Sequence, residues 1–128
     1  MTEGKSARLT LEILEQDDLM VIAIVGTFNR RIAVSEFEDA VRELGRGAAC
    51  KKLVVDLSDI AAMDSKGEGE LENVLADVVS GGGRASIVLD STRRYLYVGL
   101  EELVRALGNA AGVVFSREEA FSFVRGAE

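Results

Sequence analysis

From Lys52 to Leu89 the chain alternates between the two hydrophobic periods of folded proteins. Lys52 to Leu57 (KLVVDL) is a short β-branched run that reads as a strand. Ser65 to Ser80 places Leu71, Val74, Leu75, Val78 and Val79 on one helical stripe. Gly81, Gly82 and Gly83 then break the helix, and Arg84 to Leu89 (RASIVL) reads as the next strand. Strand, helix and strand in this order bury their apolar faces by laying the helix on a sheet.

The flanking segments extend this pattern. Leu9 to Leu14 (LTLEIL) alternates apolar and polar residues, as a half-buried strand does. Gln16, Asp17 and Asp18 form a turn, and Met20 to Val25 (MVIAIV) is a more buried strand. The two make an opening hairpin, with Gly26 ending its second strand. Ser35 and Glu38 make a capping box for a helix that presents Phe37, Ala40, Val41 and Leu44 and stops at Gly45. Leu100, Leu103, Val104 and Leu107 share a helix face, with Gly99 before it and Gly108 after it. Tyr95 to Val98 fits either a first helical turn or a strand-like loop. Val113 to Phe115 reads as a last strand. Ser116 and Glu119 cap a final helix to about Arg125, which presents Ala120, Phe121 and Val124 to the core.

The expected order is therefore β-β-α-β-α-β-α-β-α. It predicts a single α/β domain over residues 1–128: a mixed central sheet of about five strands with about four helices packed mainly on one face. The expected core spans about 9–125, with 1–7 and 126–128 flexible. A chain of 128 residues can bury such a core without disulfides or metal. It has no proline, so glycine does most of the punctuation.

Composition narrows the function. There is no histidine, which excludes a Ser-His-Asp triad and any histidine-ligated metal. The one cysteine, Cys50, excludes an internal disulfide and has no histidine to activate it. A formal net charge of −7 disfavours nucleic acid and anionic membranes as partners. There is no apolar run long enough to span a bilayer and no signal segment at Met1 to Arg8. A cytoplasmic protein that binds other proteins, without cofactor or metal, is the expectation.

The most informative stretch is Leu53 to Leu71, LVVDLSDIAAMDSKGEGEL, read as strand, loop and helix. Asp56-Leu57-Ser58 closes the strand, and Asp64-Ser65-Lys66-Gly67-Glu68-Gly69 opens the helix. In these motifs, their spacing and the order of elements from about Leu9 to Val124, the chain resembles the STAS family, the fold of bacterial anti-sigma factor antagonists. The resemblance implies a regulatory protein, not an enzyme. Such a protein binds an anti-sigma factor that is also a serine kinase with an ATP-binding fold. Phosphorylation releases it, and a phosphatase restores it. It makes Ser65 the phosphorylation site, and places Asn29, Asp64, Ser65, Lys66, Gly67 and Glu68 on the partner-binding face. Three positions depart from the family pattern: Lys66 replaces a serine or threonine, Glu68 an exposed leucine, and Asn29 an aspartate.

The site also makes physical sense. A serine at a helix start faces unpaired backbone N–H groups that accommodate phosphate. That phosphate would add about −1.5 to −2 charges beside Asp64, Glu68 and Glu70. Ser65 with Glu68 equally forms a plain capping box, in which the serine only starts the helix. The alternative function is a STAS adaptor subunit, without phosphorylation, in a phospholipid-transport ATPase or a signalling scaffold. Nothing in the sequence sets the number of copies. Asp56, Asp59 and Asp64 surround one loop, and Asp56 is expected to bond loop amides at the strand end. The Gly81 to Gly83 triplet follows a helix and precedes a strand, the wrong order for a phosphate loop. Arg93 and Arg94 read as solvated surface, and Tyr95 and Tyr97 as half-buried packing residues.

Overall fold

The computed structural model describes residues 8–14, 19–28, 39 and 52–126. The helix expected from Ser35, together with Asn29, Cys50 and the turn at 16–18, lies outside the described residues, although Asp39 is helical.

The opening hairpin is present. Strand β1 (Arg8–Leu14) pairs antiparallel with β2 (Leu19–Phe28), from Arg8↔Val25 to Leu14↔Leu19. Strand β3 (Lys52–Asp56) lies parallel to β2, β5 (Arg84–Val88) parallel to β3, and β6 (Ala111–Val114) parallel to β5. The path β1-β2-β3-β5-β6 is thus the expected five-stranded mixed sheet. A sixth strand, β4 (Ile60–Met63), joins it off this path.

Strand β4 corrects two expectations. Ile60 to Met63 is a strand, where a loop is expected, and β2 continues past Gly26 to Phe28. The two corrections share one cause. After β3 ends opposite Ala23, the chain jogs through Leu57, Ser58 and Asp59, and β4 pairs with Gly26, Thr27 and Phe28 of β2. Gly26 has φ 91°, a left-handed value that glycine adopts without strain, and the register shifts there.

Helix α1 (Ser65–Ser80) follows β4, and its expected stripe is its buried face: Leu71, Val74, Leu75 and Val78 are buried and Val79 is half-buried. It ends as the glycine triplet predicts. Gly83 N–H donates to Val78 O at 2.9 Å and Gly82 N–H to Val79 O at 3.0 Å, with Gly82 at φ 91°. This is a Schellman motif. Helix α2 (Arg94–Arg105) settles the ambiguous Tyr95 to Val98 stretch as helix. Gly99 lies inside α2, where the sequence puts it before the helix, because a turn of 3-10 helix (Ser91–Arg93) starts the helical path earlier. Leu100 and Val104 are buried, and Leu103, Leu107 and Tyr97 pack around them.

Helix α3 (Arg117–Arg125) is capped by Ser116, whose hydroxyl accepts from Glu119 N–H at 3.1 Å. Glu119 Oε1 in turn accepts from Phe115 N–H at 3.0 Å, one residue before the position a strict capping box uses. The preceding strand, Ala111–Val114, begins two residues earlier than expected and ends before Phe115.

The strands alternate between two buried faces. Met20, Ile22, Ile24, Leu53, Val55, Ala85 and Ile87 meet α1 and α2 on one side. Leu19, Val21, Val54 and Val88 meet Ala120 and Val124 of α3 on the other. Two of the three described α-helices therefore share a face, and the last covers the opposite one. β3 and β5 are buried on both sides, which is why their sequences read as nearly continuous apolar runs. Burying each large aliphatic side chain contributes roughly 1.5–3 kcal/mol.

Candidate functional site

The β3–β4 jog is built on Asp56, which is 8% exposed. Ser58 donates to its Oδ1 twice, from N–H at 3.0 Å and from Oγ at 2.7 Å. Arg117 Nε donates to its Oδ2 at 2.6 Å. Burial pushes the Asp56 pKa up, but the Ser58 hydrogen bonds and the Arg117 charge outweigh it and leave the carboxyl below its usual value. The expectation that Asp56 bonds loop amides at the strand end is met.

The jog and β4 deliver the chain to Asp64, and here the capping expectation is corrected. Asp64, not Ser65, is the N-cap of α1: its Oδ1 accepts from Gly67 N–H at 2.9 Å. Ser65 is the first helical residue and is exposed, and its hydroxyl has no hydrogen-bond partner among the described residues. A carboxylate one position earlier reaches the third helical N–H, so the serine is relieved of that task. Lys66 is exposed and pairs with Glu70, Nζ to Oε2 3.6 Å. Gly67 is buried, and Glu68 is half-buried with its N–H donating to Asp64 O at 3.0 Å. Asp64, Ser65, Lys66, Gly67 and Glu68 thus form one continuous helix start, while Asn29 lies outside the described residues.

Ser65 lines one end of a groove of about 450 Å³ between α1 and α2. Glu68, Gly69 and Glu72 form one wall, and Gly99, Glu102 and Ala106 the other. The helices approach closely at Gly99, where a Cβ would come within 3.2 Å of Glu68 Oε2. Glu72, Gly99, Glu102 and Ala106 are the site residues that sequence reading missed. Gly99, Glu102 and Ala106 recur at i, i+3 and i+7, which was the available signal, but it required knowing that Gly99 is helical. Three glutamates around a groove that begins at an exposed serine make its wall acidic. Such a groove favours a partner carrying basic or hydrogen-bond-donating groups.

No helix among the described residues is long and apolar enough to cross a membrane.

No protein-family model matches the chain. Its fold, however, is that of several solved structures. An anti-sigma factor antagonist from Mycobacterium paratuberculosis superposes with a TM-score of 0.72 at 19% identity, covering 98% of this chain and 99% of that one. Unphosphorylated SpoIIAA, an anti-sigma factor antagonist, superposes at 0.67 with 18% identity, covering 93% and 99%. The phosphorylated form of the Bacillus cell fate determinant SpoIIAA also gives 0.67 and 18%, covering 92% and 100%. At such identities the likeness is one of architecture, and in architecture the chain has the STAS fold of the anti-sigma factor antagonists.

Proposed function

We propose that the chain is a regulatory binding module of the anti-sigma factor antagonist type. It docks in the cytoplasm on an anti-sigma factor that is also a serine kinase, and phosphorylation of Ser65 ends the docking. It acts by binding and carries out no chemistry itself.

The observation that supports this most is the division of labour at the start of α1. Asp64 caps the helix, which leaves the Ser65 hydroxyl exposed for modification. Phosphate there would add about −1.5 to −2 charges at the end of a groove walled by Glu68, Glu72 and Glu102. A partner whose donor groups sit in the groove, but which closes over Ser65 itself with carboxylates or apolar surface, would be repelled there or forced to desolvate the phosphate, while the fold stays as it is. Asp64, Lys66, Gly67 and Glu68 would shape the docking face around the serine, with Asn29 as a further contact. That SpoIIAA has been solved in both unphosphorylated and phosphorylated forms makes Ser65 the residue to test.

The second reading is a constitutive adaptor subunit, in a phospholipid-transport ATPase or a signalling scaffold. The acidic groove favours it, because phosphate changes an already negative surface less than a neutral one. Affinity capture from the native host, with mass spectrometry of partners and of the Ser65 peptide, separates the two. A kinase-type anti-sigma factor, with phosphate on Ser65 only in the unbound pool, is the outcome expected of the switch. A stoichiometric complex with a transporter or scaffold and an unmodified Ser65 would replace it with the adaptor.

A further inference from the structure

Strand β6 (Ala111–Val114) ends the sheet at one side, and β5 is its only strand neighbour among the described residues. Leu89 N–H donates to Val114 O at 2.9 Å, so Val114, and by the two-residue repeat Gly112, direct their backbone groups toward β5. Ala111 and Val113 therefore point their N–H and C=O groups away from the sheet. Phe115 N–H is already taken by Glu119 Oε1.

Natural edge strands are usually protected by lysine, proline, a bulge or an inward charge. The sequence Ala111-Gly112-Val113-Val114-Phe115 carries none of these. The edge is apolar. Phe115 is 46% exposed and stacks on Tyr97 at a centroid distance of 5.6 Å. Phe115 also lines, with Val113, Val114 and Phe121, an open groove of about 850 Å³ between the edge and α3. The flank of α3 on this groove carries Glu118 near its N-terminal end and Arg125 at its C-terminal end.

We propose that this edge joins a second copy of the chain, β6 to β6 antiparallel about Val113, making one continuous sheet across a two-fold axis. The edge is complementary to itself. Val113 would exchange both hydrogen bonds with its counterpart, and each Ala111 N–H would donate to Phe115 O of the second copy. The same axis sets the two α3 helices antiparallel on one face. Because α3 packs chiefly over β5, they would stand about 14 Å apart, three interstrand spacings. Long side chains bridge that gap. Glu118 of each copy then faces Arg125 of the other, and the Phe121 rings share the space between. Such an isologous contact closes on itself and stops at two chains.

The test is the solution mass of the full chain across a concentration series, by sedimentation equilibrium. The expected result is a reversible dimer of twice the chain mass. Val113→Pro removes an N–H that points away from β5, and an edge strand tolerates it. It should weaken dimerisation by about tenfold or more, with the circular dichroism of the monomer unchanged. Glu118→Arg and Arg125→Glu should each weaken the dimer, and the double variant should restore it. A wild-type chain of single mass at every concentration would overturn the proposal. So would a dimer indifferent to Val113→Pro and to the charge swap, or an edge that captures only an extended peptide from another protein.

Discussion

Arg117 Nε donates to Asp56 Oδ2 at 2.6 Å across 61 positions of sequence, tying the first residue of α3 to the end of β3. With Ser58 on the other carboxylate oxygen, Asp56 joins the strand, the jog and the last helix.

Removing this carboxylate should loosen all three. Asp56→Asn should destabilise the protein by about 1.5–3 kcal/mol, the range for hydrogen bonds to charged groups. The folded-state pKa of Asp56 lies below its unfolded value of 3.8. Its contribution is therefore complete above the unfolded pKa and is lost as pH falls through the folded one. Urea midpoints from neutral pH down into the acid range should show the difference between wild type and Asp56→Asn shrinking below about pH 4. A difference unchanged with pH would contradict the ion pair.

The two residues at the start of α1 should behave in opposite ways. Asp64→Ala should cost about 1 kcal/mol, because it removes the cap. Ser65→Ala should stay within about 0.5 kcal/mol of wild type, as an exposed substitution does. Denaturant unfolding of both variants checks this. A larger loss at Ser65 than at Asp64 would return the capping role to the serine.

Ser86 Oγ is fully buried on β5, and no partner among the described residues satisfies it. Ser86→Ala should therefore stabilise the fold by up to about 1 kcal/mol, since the hydroxyl's desolvation is not compensated. The expected readout is a raised urea midpoint with an unchanged denaturant slope.

Gly112 and Gly99 should answer differently to alanine. A Cβ at Gly112 would come within 3.0 Å of the Phe123 ring. That ring carries Arg84 at 4.6 Å, while Arg84 Nε donates to Phe123 O at 2.7 Å. Gly112→Ala should cost about 1–3 kcal/mol by overpacking. At Gly99 the obstacle is the end of the flexible Glu68 side chain, and alanine suits a helix interior better by up to about 1 kcal/mol. Gly99→Ala should be neutral to stabilising. Thermal melts of the two variants, shifted in opposite directions from wild type or with only Gly112→Ala lowered, are the expected outcome.

Legibility in the sequence followed locality. The hairpin, the stripe of α1, the Gly81 to Gly83 stop and the Ser116 cap each rest on residues a few positions apart, and all were readable. The β4 strand was not, because Ile60 to Met63 is too short to carry a period and is a strand only by pairing with β2 beyond Gly26. The acidic groove was half readable. Its α1 wall lies in the Asp64 to Gly69 motif, whereas Gly99 and Glu102 reach it only through the packing of α2 on α1.

By itself the sequence determined the mixed sheet, most of its strands and helices, and a serine at a helix start, because hydrophobic period, glycine stops and capping chemistry act over a few residues. The tertiary structure alone decided that Ile60 to Met63 pairs as a strand, which face α3 covers, and that Arg117 meets Asp56. Each of those depends on competition between groups brought together by chain crossings of tens of residues. Which group wins is set by packing and by the need to satisfy buried charge, which no local pattern records.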